Sequence, residues 1–91
     1  MKDIPQILEE LRASKNIRFS RLLSICTTYF GTSRIAGSHH IFRTPWPGNP
    51  RINLQKDKSG KAKPYQIQQV IRALEHLMEV TSHEEDETEE T

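Results

Sequence analysis

Ile67, Val70, Ile71, Leu74, Leu77 and Met78 recur every three or four residues, which predicts an amphipathic helix with Pro64 in its first turn. An apolar stripe held over three turns has to be covered, so the rest of the chain must supply a surface for it. Two other stretches carry the same period. Ile4, Ile7, Leu8 and Leu11 predict a helix over 3–13, with Pro5 early enough that no helical donor is lost. Leu22, Leu23, Cys26, Tyr29 and Phe30 predict a second helix, with Ser20 as its N-cap and Gly31 ending it.

Between these helices the period falls to two. Residues 33–36 predict a short strand, Gly37-Ser38 a tight turn, 39–44 a second strand, and 51–55 a third with Ile52 and Leu54 on one side. The segment 45–50 holds three prolines, which lack ladder donors, so it is expected as a rigid loop between antiparallel strands. The order α–α–β–β–β–α predicts an α+β fold: a two-layer sandwich with a three-stranded sheet and the helices on one face. Strand alternation then sorts the side chains. With Phe42, Ile52 and Leu54 facing the helices, His40 and Thr44 go with them, while His39, Ile41, Arg43, Arg51, Asn53 and Gln55 point to the open side.

Ninety-one residues make one domain, and its charge is unevenly spread. The formal net charge is +1, yet 84–91 holds six acids and no base, which leaves thirteen bases against six acids, or +7, on 1–83. That acidic end has no apolar side chain to offset the entropy of ordering, so 81–91 is expected as a disordered tail. The basic remainder suits a phosphate-rich partner. Cys26 is the single cysteine, which excludes an internal disulfide and a thiolate metal cluster; on an apolar helical face it reads as a small hydrophobe. No apolar run approaches the ~20 residues of a membrane helix. The N-terminus lacks a signal-peptide core, and the expected location is the cytoplasm.

Chemistry concentrates in Gly37-Ser38-His39-His40. An imidazole titrates near neutral pH, so it can take a proton from a ribose 2′-hydroxyl or give one to a leaving 5′-oxygen. Gly37 lets a phosphate approach the backbone, Ser38 offers a hydroxyl, and Arg43 and Arg51 supply positive charge. Lys56, Lys58, Lys61 and Lys63 line a loop that runs into a helix N-terminus, a second phosphate-binding element. A metal site is not expected. His39 and His40 point to opposite faces, and His76 and His83 have no carboxylate or cysteine at ligand spacing. Trp46 either stacks on an unpaired base or closes over the sheet edge, and packing is the expected role.

These residues also resemble a known family. Gly37-Ser38-His39-His40-Ile41-Phe42, Arg51-Ile52-Asn53-Leu54-Gln55, then Lys61 and Lys63-Pro64-Tyr65-Gln66-Ile67 resemble the HicA toxin (YcfA-like) family over residues 19–78. The resemblance implies a double-stranded-RNA-binding-domain-like α-β-β-β-α core in 19–80, with 1–18 as an N-terminal helical extension. It further implies the toxin of a type II toxin–antitoxin system. Such a toxin is a metal-independent mRNA interferase, an endoribonuclease without a cofactor, and a HicB-like antitoxin covers its active histidine. By position that histidine is His39, directly after Gly37-Ser38. The first helix, the Trp46 loop and the acidic end lie outside the family's usual pattern. They leave open a non-catalytic RNA-binding module on the same surface, or a protein-interaction domain in which the first helix and Ile41 make the contacts.

Overall fold

The architecture comes from a computed structural model that describes residues 3–14, 16–46 and 51–90, with 81–90 as backbone alone. Its elements are α1 (Ile4–Ala13), α2 (Phe19–Phe30), β1 (Arg34–Ala36), β2 (His39–Phe42), β3 (Ile52–Gln55) and α3 (Pro64–Glu90). The class is α+β: three helices and a three-stranded antiparallel sheet in the order β1-β2-β3.

A capping box starts α1. The Gln6 amide donates to Asp3 Oδ1, and the Asp3 amide donates back to Gln6 Oε1, both at 3.1 Å. Ile7, Leu8 and Leu11 are buried in the same cluster as Leu22, Phe42, Leu54 and Leu74. The segment that the sequence sets apart as an extension is thus one wall of the core. Polar clamps hold it there: Arg21 on α2 donates twice to the Glu10 carboxylate at 2.8 Å, and Arg12 pairs with Glu75 on α3. The Glu10 hydrogen bond holds Arg21 above its ordinary pKa.

The start of α2 departs from expectation. Its N-cap is Arg18, without a side-chain cap bond, and Ser20 sits inside the first turn. A tertiary contact takes the place of the cap: the Phe19 amide donates to the Gly60 carbonyl at 3.0 Å. The Ala62 amide likewise donates to the Ile17 carbonyl at 2.8 Å, so the lysine-bearing loop is clipped to the α1–α2 connection.

Gly37, at φ +64, occupies the first central position of the β1–β2 turn, the only one of the two with positive φ. That is the type II′ pattern, and its twist matches the flanking strands. The turn sets Ala36 opposite His39, and β3 continues the ladder with His39 opposite Gln55, Ile41 opposite Asn53 and Phe42 opposite Ile52. In this register Phe42, Ile52 and Leu54 are buried beneath α2 and α3. Ile67, Val70, Ile71 and Leu74 cover them from α3, while Met78, at 37% exposure, lies past the core.

One further feature of α3 protects the sheet. The outer edge of β3 would leave the backbone groups of Asn53 and Gln55 unpaired. Gln69 accepts from the Asn53 amide at 2.8 Å and donates to its carbonyl at 3.3 Å, and Gln66 donates to the Gln55 carbonyl at 3.0 Å. Beyond the sheet, α3 runs on through 81–90, where composition alone predicts a disordered tail. Glutamate is a good helix former, and extending a packed helix avoids a new nucleation step. The acidic side chains and His83 lie outside the described residues, as do 47–50 of the proline loop.

Candidate nucleic-acid interface

His39 is held by its neighbour across the sheet. Its Nδ1 lies 2.9 Å from Asn53 Oδ1. Asn53 is not its direct partner but the diagonal one, within reach of long side chains in an antiparallel pair. A carbonyl oxygen accepts only, so Nδ1 is the donor in this contact, and in the neutral ring the lone pair is then on Nε2. Asn53 is fixed in turn through its backbone by Gln69 on α3. The chain Gln69–Asn53–His39 therefore orients the ring and favours the Nδ1–H tautomer. Beside it, Gln55 Nε2 donates to Ser38 Oγ at 3.0 Å, which leaves the Ser38 hydroxyl proton free for an incoming oxygen.

His40 is half-buried like His39 but has different neighbours. It faces the helices, its ring packs 5.6 Å from that of Phe19, and its buried Nδ1 has no hydrogen-bond partner among the described residues. Cys26 is fully buried and its thiol is pushed up to about 12 by desolvation, which removes it as a nucleophile. Among the described residues no group of three metal-ligating side chains converges, and no helix is long and apolar enough to cross a membrane.

The basic residues fall into two sets. Lys56 follows Gln55 directly, so the lysine loop leaves the sheet at the His39 end. A turn shapes this loop: the Gly60 amide donates to the Asp57 carbonyl at 3.0 Å, and Gly60 takes φ +78. Lys61 and Lys63 line a cleft of about 590 Å³ between it and the end of α1. Lys56, Lys58 and Lys61 are exposed and Lys63 is half-buried. Arg43 and Arg51 flank the other end of the sheet, just outside the Phe42–Ile52 pair. Four strand positions, about 13 Å, separate them from the level of His39. That distance separates both arginines from the surroundings of His39, so the sequence-predicted site residues do not converge on one point.

Arg51 instead joins a group that the sequence reading did not assemble. Trp46, Arg51, Tyr65, Gln69, Arg72 and His76 line a cleft of about 350 Å³ between the end of the proline loop and the outer side of α3. Trp46 packs edge-on to Phe30 at 6.2 Å and lies 4.1 Å from the His76 ring, so its packing role is present alongside this wall. Asn53 as the partner of His39 was also missed. Its signal is a diagonal that exists only once the register is known.

The chain matches no family model, no curated protein and no solved structure. Fold and surface together define a small α+β protein with an oriented, half-buried histidine on the sheet face away from the helices and basic residues at both ends of that face.

Proposed function

We propose that the chain is an endoribonuclease of the HicA toxin kind, an mRNA interferase whose general base is His39. The observation that carries this reading is the 2.9 Å contact from His39 Nδ1 to Asn53 Oδ1, which leaves Nε2 as a free base on an uncovered face. Nε2 takes the proton of a ribose 2′-hydroxyl. The 2′-oxygen attacks the adjacent phosphorus, the bond to the 5′-oxygen breaks, and a 2′,3′-cyclic phosphate forms. Ser38 donates to a phosphate oxygen, and the lysines at this end of the sheet hold the flanking phosphates. Neither β2 nor β3 carries a second imidazole or a carboxylate on this face, so the leaving oxygen takes its proton from the charged His39 or from water.

On this reading the α-β-β-β-α portion is a double-stranded-RNA-binding-domain-like core, and no metal or cofactor is needed. The natural partner is a HicB-like antitoxin seated over His39, and the setting is the cytoplasm, where mRNA is found. The decisive test uses the purified full chain, excess chelator, and two RNAs of one sequence, one of them 2′-O-methylated. Cleavage of the unmodified RNA alone, leaving cyclic phosphate and 5′-hydroxyl ends, is expected. His39→Ala should lower it by about 100-fold or more with RNA binding retained. The missing second proton-transfer group favours one rival, a non-catalytic RNA-binding module. Salt-dependent binding of several RNAs without any cleavage by the wild type would establish that rival.

A further inference from the structure

The cleft around Trp46 plays no part in proton transfer at His39, yet its chemistry is specific. Tyr65, Gln69, Arg72 and His76 sit at i, i+4, i+7 and i+11, so they form one stripe along α3, separate from the apolar stripe that covers the sheet. Trp46 and Arg51 face this stripe from the end of the proline loop and the start of β3. Two guanidinium groups and three aromatic rings thus share one concave surface, and none of its lining residues is a carboxylate. Neither Arg51 nor Arg72 has an ion-pair partner among the described residues. Tyr65 is 60% exposed, and its hydroxyl accepts from Gln66 Nε2 at 3.5 Å, so most of the side chain is open to a ligand.

Each part has a counterpart in one ligand. Unpaired planar guanidiniums match phosphate oxygens, and an exposed ring beside them matches the face of a base. Gln69 keeps one amide hydrogen after its bond to the Asn53 carbonyl, a donor for a base edge. The volume, about 350 Å³, is at the small end of ligand sites, suited to one nucleotide and not to a duplex.

We infer that this cleft is a subsite for a single unpaired ribonucleotide, with the base stacked on Tyr65 against the Trp46–His76 wall and the phosphate held by Arg51 and Arg72. The identity of the polymer rests on the RNA reading above, whereas affinity for the nucleotide is measurable without cleavage. Because Arg51 lies about 13 Å along the sheet from the level of His39, the nucleotide held here differs from the one that reacts. The cleft therefore reads bases beside the cleavage point and adds preference for single strands.

Trp46 is the only tryptophan, so its emission reports directly on the cleft. The full-length protein is titrated with AMP, with adenosine and with inorganic phosphate. A saturable change with AMP is expected, with adenosine and phosphate each binding at least about fivefold more weakly. Arg72→Gln and Tyr65→Ala should each weaken AMP by about fivefold or more with circular dichroism unchanged, while His39→Ala leaves the titration as it was. No saturable change with AMP overturns the subsite, as does equal affinity for phosphate alone or wild-type affinity in both cleft variants. AMP binding in a protein that cleaves no RNA would retain the subsite and remove the nuclease reading. Cleavage without AMP binding would do the reverse.

Discussion

His39 and His40 are covalent neighbours of the same residue type, yet the two faces of the sheet give them unrelated chemistry. On the open face a histidine gains an oriented partner in Asn53 and keeps a nitrogen free for solvent. On the covered face the next histidine loses water at Nδ1, gains only a ring contact with Phe19, and serves packing. Reactivity is decided by what lies across the strand and above the sheet, not by the residue itself. The same contrast runs along β3, where Ile52 and Leu54 are buried while Asn53 between them is exposed and holds His39.

The largest effect that would test this contrast is on stability. Phe42→Ala removes a fully buried ring from the covered face and should cost about 3–5 kcal/mol in denaturant unfolding. A cost below about 1 kcal/mol would mean that the helices do not seal that face as described. Next comes Asn53→Ala on the open face. The loss of one orienting hydrogen bond should slow the RNA cleavage we propose by about three- to tenfold and shift stability far less than Phe42→Ala. Unchanged cleavage would show that His39 needs no orientation from across the sheet. His40→Leu should be smaller still. It replaces an unpaired buried nitrogen with apolar volume, so cleavage stays at the wild-type rate and the melting temperature holds or rises. A fall in cleavage with stability intact would give His40 a chemical role and break the comparison.

The last effect is absent at neutral pH and concerns Cys26 under the sheet. Its thiol is pushed up from 9.0 to about 12 in the fold, so the unfolded chain releases the proton first. Its contribution to stability is complete below the unfolded value and is lost as pH rises toward the folded one. Unfolding free energy should therefore decline more steeply between about pH 9 and 12 in the wild type than in Cys26→Ala. Parallel curves would show that the thiol is hydrated in the native state.

Local periodicity carried much of the fold in the sequence. Each element needed only its own residues: Ile67 to Leu74 at helical spacing, Pro5 in a first turn, Gly37 at a turn that demands positive φ, and Phe42, Ile52 and Leu54 at alternate strand positions. Strand alternation alone also put His39 and Asn53 on one face and His40 on the other. Where an element depended on distant chain, the local signal failed. Ser20 has the chemistry of an N-cap, but α2 starts earlier because Gly60 supplies the acceptor for Phe19. Residues 1–18 look like an addition, but their apolar edge fits the space left beside α3.

What the sequence by itself determined is therefore the menu of elements, the face on which each side chain lies, and the excess of positive charge outside the acidic end. Tertiary structure alone decided the partners. The pairing of His39 with Asn53 requires the β2–β3 register, and a proline-rich loop leaves that register open until Phe42 and Ile52 are buried together. The cleft of Trp46, Arg51, Tyr65 and Arg72 required α3 to lie along the β3 edge, where Gln66 and Gln69 bind the strand's free backbone groups. Periodicity is written within one turn or one strand, whereas a site joins residues whose separation in sequence carries no record of their distance in space.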